Sequence, residues 1–462
     1  MIYLILFLGL ILRVISLNQS FWLDEATSAT VAKNFSFLDI LTKFSPGDFH
    51  PPLYYLALKV WTLPFGVTEI SARSLSIVFS LATILLVYQI SKLYKDKTVA
   101  IAAALLTATA PLLIYYAQEA RMYSMQTFLV TLAVFLFAKN IQKEKFVHWL
   151  LFSLALLLVG ATDYLPLLII PVFWLYGIFN QKKLPWFGKL ILSHFPLAIG
   201  FAVWAPTFAH QLSVGLSVQA SSQAWWQVLG KSNLKELLLV PTKFLIGRLS
   251  FTNKFSYALV VVFAAASFGY AILQNAKSVK AVKKDLLFWL WLLVPITLAF
   301  LLGFKVSVFS YFRLIFVLPA FYLLIAIGLT KVKEAVFPIL FLILIALNIT
   351  FSLTYLLNDR YHREDWRSAV DFILDASRDK KTAVVFPADS QQEAFKYYAK
   401  DGLQVIRSEE IEDHEIVYLV RYVQDISDPA DLARKKLEEK GYNKILEKDF
   451  KGVIIWQYEN RN

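Results

Sequence analysis

Apolar runs about as long as a bilayer is thick recur along the chain, separated by short polar turns. They fall at residues 1–17, 70–91, 99–115, 122–138, 147–162, 164–180, 190–206, 255–273, 286–303, 313–330 and 335–357, and each predicts a membrane-spanning helix, eleven in all. The first run has no basic leading segment and no small-residue cleavage site, and it continues straight into polar sequence. It is therefore read as a span rather than a cleaved signal. Two loops between spans carry amphipathic pattern of their own. Glu25–Phe44 and Leu53–Leu63 predict short helices lying in the interface, broken by Pro46-Gly47 and Pro51-Pro52. In the loop 207–254, Trp225-Trp226 are expected as interfacial anchors.

The pattern changes after Leu357, dividing the chain into a membrane part, 1–357, and a soluble part, 358–462. In the second, helices are expected over Arg363–Ser377, Gln391–Ala399 and Pro429–Lys440, with strands over Thr382–Phe386, Glu415–Arg421 and Val453–Gln457. The fold class is thus a polytopic α-helical membrane protein with a small C-terminal α/β domain.

Composition agrees: 17% of the 462 residues are charged, against about 25% in soluble domains. The chain has no cysteine, which removes disulfides and thiolate chemistry. Its net charge of +12 does not point to nucleic acid, because the lysines sit in short loops between apolar runs. Lys92, Lys95 and Lys97, then Lys139, Lys143 and Lys145, then Lys182, Lys183 and Lys189 mark three such loops. Lys277, Lys280, Lys283 and Lys284, then Lys331 and Lys333, mark two more. Those five loops are expected in the cytoplasm. Parity then places Asp24-Glu25, Glu119, Asp163, residues 207–254 and the soluble part on the extracytoplasmic face of the cell membrane.

The chemistry-bearing residues gather on that face. Asp24-Glu25 directly follows the first span, and His50-Pro51-Pro52-Leu53-Tyr54-Tyr55 begins twenty-five residues beyond Glu25. Ionisable groups at a membrane face are costly unless they meet water or a partner, so adjacent carboxylates there point to a working site. The same pair would also suit the first turn of the following helix, where the helix dipole favours acids. Glu119 and Arg121 lie in a very short connection, either paired with each other or free to bind phosphate through the guanidinium. Arg313 is read as a snorkelling side chain or a second phosphate ligand, and Arg73 as a snorkelling anchor. Tyr54 and Tyr55 suit interfacial anchoring, with Tyr54 also a candidate substrate contact, and Asp163 could line the same pocket. Asp365-Trp366-Arg367 is expected to dock the soluble part on the membrane part.

Carboxylates at a bilayer face, in a chain otherwise mostly solvated by lipid, point to chemistry on a lipid-borne substrate. Asp24, Glu25 and Glu119 are the candidate catalytic residues; His50, Tyr54, Arg121, Asp163 and Arg313 are the candidate substrate-binding residues. Asp24, Glu25, His50 and Glu119 could also hold a divalent metal, but nothing in their spacing requires one and none is expected.

Together, Trp22-Leu23-Asp24-Glu25-Ala26, His50-Pro51-Pro52-Leu53-Tyr54-Tyr55, Gln118-Glu119-Ala120-Arg121-Met122-Tyr123 and Asp365-Trp366-Arg367 resemble the polyprenyl-phosphate-sugar glycosyltransferases of the GT-C fold. The resemblance is to the protein O-mannosyltransferase-like group, glycosyltransferase family 39, with aminoarabinose lipid A transferases as more distant kin. It implies inverting transfer from a polyprenyl monophosphate sugar to a lipid, glycan or protein hydroxyl on the extracytoplasmic face, amid membrane lipid. It further implies that Asp24 is the general base or the acceptor-orienting carboxylate, and that Glu119 helps position substrate. A rival reading is a transporter or flippase of lipid-linked glycans, which calls for acids or broken helices near the bilayer midplane. The absence of an internal repeat counts against it.

Overall fold

A computed structural model describes residues 1–221, 230–377, 381–399, 403–411 and 414–460; Trp225-Trp226 lie outside the described residues. The membrane part runs α1 (Ile2–Val14), α2 (Leu23–Asn34), α3 (Leu53–Thr62), α4 (Glu69–Tyr94), α5 (Lys97–Thr109), α6 (Pro111–Ala117), α7 (Tyr123–Gln142) and α8 (Phe146–Thr162). It continues through α9 (Ile170–Phe179), α10 (Leu184–Ser221), α11 (Leu234–Ile246), α12 (Lys254–Asn275), α13 (Leu286–Leu302), α14 (Leu318–Leu329) and α15 (Phe337–Leu357).

Each of the eleven apolar runs is helical, yet not all are of spanning length. Among the described residues five helices (α4, α7, α10, α12 and α15) are long and apolar enough to cross a bilayer, and α5 with α6, bent by 56°, makes a sixth if the pair is counted as one span. The remaining five runs give shorter apolar helices of 10–17 residues. The breaks have local causes. Pro111 removes an amide at the α5–α6 bend, and Ser16 turns the chain with a left-handed φ of 56° just after α1. The run 164–180 opens as a 3₁₀ turn over Leu165–Ile169, with Pro166 near its start.

The lysine-rich loops share one end of the bundle. Asp285, buried before α13, lies 2.7 Å from Lys95 Nζ and 3.5 Å from Lys331 Nζ, joining three of those loops in one ion cluster. The acids named above lie at the opposite end. Arg13, fully buried in α1, ties its neighbours by donating to Ser80 Oγ at 2.8 Å and to the Ala108 carbonyl at 2.9 Å.

The soluble part contains α16 (Trp366–Ala376), β1 (Thr382–Val385), α17 (Glu393–Ala399), β2 (Gln404–Ile406), β3 (Ile416–Arg421), α18 (Leu432–Glu439), β4 (Tyr442–Phe450) and β5 (Val453–Asn460). The sheet order is β2-β1-β3-β5-β4, with β1 parallel to β2 and β3, and β5 antiparallel to β3 and β4. Strands β2 and β4 were not expected. β4 carries Lys444, Glu447, Lys448 and Asp449, and most of it is exposed at the sheet edge, so no apolar alternation marks it. Its hairpin turns at Lys451 and Gly452, both at positive φ (55° and 98°), the geometry a two-residue turn requires.

The soluble part sits directly on the segment between α1 and α4, as Asp365-Trp366-Arg367 led one to expect. Arg367 pairs with Glu69 at 2.5 Å, and its backbone amide donates to Ser20 Oγ at 3.1 Å. The Tyr398 hydroxyl donates to Glu69 at 2.6 Å while accepting from the Phe21 amide at 2.7 Å. The Phe21 ring packs edge-on against Tyr397 at 5.2 Å, so one core runs through both parts. The structure is that of an integral membrane protein with a small mixed-sheet domain.

Helices in lipid have no water-driven attraction for one another and rely on close packing of small residues. A Cβ on Gly328 of α14 would lie 1.9 Å from the Ala271 carbonyl oxygen of α12, a backbone atom that cannot step aside. Gly328→Ala is expected to force the pair apart and destabilise the fold by at least about 1–3 kcal/mol. Thermal unfolding in nanodiscs would register this as a lowered midpoint.

Candidate active site

α2 begins without a side-chain cap: Trp22 is the capping residue, in extended conformation, and the acids occupy the first turn. The two acids point to different surroundings. Asp24 keeps 41% of its side chain exposed, whereas Glu25 is fully buried. Arg73 Nε and Nη2 reach the two Glu25 oxygens at 2.8 and 2.6 Å, a bidentate pair. The other Arg73 donors go to the carbonyls of Leu17, Gln19 and Ser20 at 2.7, 2.6 and 3.0 Å, so the guanidinium is saturated. Arg73 is therefore no snorkelling anchor: it is completely buried and pins the loop after α1 to the start of α2.

The amide of Ala120 donates to Glu25 Oε1 at 2.7 Å, which brings the α6–α7 connection to the same point. Burial works to raise the Glu25 pKa, but Arg73, Arg363 and the Ala120 amide overrule it and hold the carboxyl below its usual range. Glu119 lies alongside, 1% exposed, with Oε2 accepting from Arg363 Nη2 at 3.1 Å and Oε1 without a partner among the described residues. Here burial wins. Arg363 offsets it only in part, and the neighbouring Glu25 charge adds to it, pushing the Glu119 carboxyl up to about 7.

Glu119 and Arg121 do not pair with each other. Arg121 Nη1 donates to the Tyr55 hydroxyl at 3.1 Å, Tyr55 donates to Asp48 at 2.7 Å, and Arg121 Nη2 stands 3.7 Å from Asp24. Arg121 Nε is buried and has no partner among the described residues. Tyr54 and Tyr55 are each 1% exposed, so neither is an interfacial anchor; they are core residues of the wall behind Arg121. That burial also removes the Tyr54 ring from reach of a substrate at Asp24.

His50 Nδ1 is 3.8 Å from buried Asp163, an ion-pair distance too long for a hydrogen bond. Arg313 lies within electrostatic reach of Asp163 and of Tyr123, which links this pair to the Arg121 side of the site. Its Nη1 donates to the Ser307 carbonyl.

Three arginines essential to this arrangement carried no sequence signal for their roles. Arg73 is one. Arg248 follows α11, reaches the Tyr115 hydroxyl at 2.8 Å and stacks over that ring at 4.8 Å. Arg363, between α15 and α16, stacks on the same ring at 4.6 Å. Neither Arg248 nor Arg313 forms a salt bridge among the described residues, although Arg248 lies within electrostatic reach of Glu119 and Arg313 within that of Asp163. The position of Arg363 just past the last apolar run, beside the expected docking element, was the only hint available. Tyr422 of the soluble part lies within electrostatic reach of both Asp24 and Arg248.

The result is a part-exposed carboxylate, Asp24, beside Arg121, mounted on two buried acids. Two cavities flank it without containing Asp24. One of about 320 Å³ includes Gln19, Arg363 and Arg367; one of about 670 Å³ lies between α2 and α17, by Lys33 and Lys396. No three His, Asp or Glu side chains converge to hold a metal among the described residues.

Comparison with known proteins agrees with the resemblance carried by the motifs. The family profile described as dolichyl-phosphate-mannose-protein mannosyltransferase matches residues 49–210. A search of curated proteins finds no match. Among solved structures, ArnT from Cupriavidus metallidurans bound to undecaprenyl phosphate superposes with a TM-score of 0.65 at 12% identity, covering 98% of this chain and 97% of that one. The apo form of the same protein gives 0.62 with the same coverage. The Archaeoglobus fulgidus oligosaccharyltransferase tethered to an acceptor peptide gives 0.57 at 13% identity, covering 100% of this chain and 74% of that one. The chain has the GT-C fold of membrane glycosyltransferases.

Removing one partner of a buried ion pair strands the other charge in a low-dielectric interior. Arg73→Met is expected to destabilise by about 3–5 kcal/mol, with much of the loss recovered in Arg73→Met/Glu25→Leu. Chemical unfolding of the purified variants would test both. Glu119 supplies a pH signature. Its folded pKa of about 7 exceeds the ordinary glutamate value of about 4.5, so between those values the folded state holds more protons and stability falls as pH rises. Glu119→Gln is expected to flatten that slope, worth on the order of 1–3 kcal/mol, in melting curves from pH 4.5 to 7.

Proposed function

We propose that this protein transfers a sugar, with inversion, from a polyprenyl-monophosphate donor to an acceptor hydroxyl on the extracytoplasmic face of the membrane. The observation that carries the reading is the contrast within the acid pair: Asp24 is open and faces Arg121 at 3.7 Å, while Glu25 is sealed beneath it. In the reaction, the acceptor oxygen forms a bond to the anomeric carbon as the bond from that carbon to the phosphate oxygen breaks. Asp24 accepts the hydroxyl proton. The polyprenyl phosphate leaves with its negative charge met by Arg121, whose Nε has no partner among the described residues, and by Arg248 and Arg313, neither of which forms a salt bridge there.

Glu25 and Glu119 act as positioning residues in this scheme. They set the start of α2 and the Glu119–Arg121 turn, and both are closed off from an incoming sugar. His50 and Asp163 orient the far side of the donor headgroup next to Arg313. Support for a lipid-linked donor comes from the shared fold with a protein that binds undecaprenyl phosphate, and for an acceptor site from the fold shared with one that binds a peptide. Transport of a lipid-linked glycan is disfavoured because the open acid lies in a short outer helix rather than at mid-membrane.

The test is transfer by the purified protein in nanodiscs from a panel of radiolabelled polyprenyl-phosphate sugars to a membrane extract. Asp24→Asn is expected to lower the rate about a hundred- to ten-thousandfold while leaving the melting temperature close to wild type. Full activity in that variant would remove Asp24 as the base. Flipping of donor across vesicles without any product would favour transport.

A further inference from the structure

We propose that Arg363 is a positioning residue of the transfer site, supplied by the strap that joins the last membrane helix to the soluble part. The inference rests on the function proposed above and goes beyond it by naming what fixes the spacing of Asp24 and Arg121.

Arg363 lies between a 3₁₀ turn at Asp359–Tyr361 and the start of α16. Its backbone amide donates to Gln19 Oε1 at 3.0 Å, anchoring the strap to the loop after α1. Its side chain, 2% exposed, then runs inward under the site. Nη1 donates to the Tyr355 hydroxyl at 3.3 Å and Nη2 to the Tyr115 carbonyl at 3.4 Å, with the plane stacked on the Tyr115 ring. Two carboxylates meet this one guanidinium: Glu119 Oε2 at 3.1 Å from Nη2 and Glu25 Oε2 at 3.6 Å from Nε.

Those two acids are the immediate neighbours of the reacting pair. Glu25 is joined to Asp24 by one peptide bond, and Glu119 is two residues from Arg121 in a tight turn. Two buried carboxylates side by side repel each other, and Arg73 is already saturated by Glu25 and three carbonyls. Arg363 is the second cation that lets both acids stay at this point. With it, the first turn of α2 and the 118–122 turn are clamped from below, and Asp24 and Arg121 face each other above. Its removal lets Glu119 withdraw, and the Arg121 side moves relative to Asp24. A displacement of about 1 Å in a reacting geometry can cost on the order of a hundredfold in rate. The strap thus makes the site complete only when the soluble part is seated. Arg367 and Glu69 form only one of the contacts that seat the soluble part, beside Tyr398 on Glu69 and Tyr397 on Phe21, and do not touch the site acids.

The experiment compares wild type, Arg363→Gln, Arg363→Lys and Arg367→Ala as full chains in nanodiscs, by transfer kinetics and by hydrogen exchange. Arg363→Gln is expected to lower kcat by up to about a hundredfold with the donor KM changed less than about threefold. Exchange should quicken at the Ala120 amide and in the first turn of α2. Arg363→Lys should restore part of kcat, because a point charge replaces the cation without spanning both carboxylates. Arg367→Ala should leave kcat near wild type. Unchanged exchange at Ala120, or wild-type kcat in Arg363→Gln, would overturn the proposal. So would a loss of kcat that only tracks a lowered melting temperature and that lysine does not relieve. Should wild type transfer from no donor, the functional reading fails by itself, and the exchange arm still decides the role of Arg363.

Discussion

The outer half of this molecule is organised around a carboxylate that water cannot reach. Burying Glu25 without a partner would be prohibitive, and the price is met by a guanidinium that brings further obligations of its own. Arg73 has five donors and only two are used by Glu25, so the rest draw in the carbonyls of Leu17, Gln19 and Ser20. The Ala120 amide closes the remaining side. One ion pair thereby fixes the end of α1, the start of α2, the top of α4 and the α6–α7 turn. None of these could shift alone without leaving a charge unpaired in a medium that tolerates none.

That rigidity gives the neighbouring acid its freedom. Asp24 carries no structural duty that would occupy its oxygens: it is not the helix cap, and Arg121 stands off at 3.7 Å rather than in direct hydrogen-bond contact. A proton acceptor has to remain open to its substrate while its backbone is held still, and adjacent residues on a helix meet both demands because they point about 100° apart. The division between a buried acid and an open one is a consequence of helix geometry at the edge of a low-dielectric core.

What could be read from the sequence was whatever periodicity or composition encodes. Each apolar run is helical, though α11 in the loop 207–254 was not among them; lysine placement marked loops of which Asp285 ties three together, and the motif residues lie together at the other end of the bundle. Long-range pairing was invisible. Arg73 in an apolar helix looks the same in one dimension whether it snorkels or binds an acid 48 residues away, and Arg363 lies 244 residues from Glu119. Tyr54 and Tyr55 follow a proline pair at an expected interface, and only the packing of α3 shows that their rings face the core. β4 escaped notice because an edge strand clothed in charge has no buried face to announce it. Not every apolar run makes one long helix, for a related reason: hydropathy measures how long a segment stays apolar, not where a turn such as Ser16 or a proline ends the helix.

The shortness of five apolar helices and the burial of the polar site are two views of one constraint. A helix of 13 residues, such as α1, rises only about 20 Å, less than the hydrocarbon thickness of about 30 Å. The space beyond its outer end must be filled by protein that satisfies its own polar groups. Here that filling is α2, α3, the 118–122 turn and the strap bearing Arg363. The residues that succeed the short helices at this end, Gln19 after α1 and Asp163 after α8, are in contact with that strap or with His50. Charged side chains such as Glu25, Arg73 and Arg363 therefore lie buried at this end of the bundle, each with a partner.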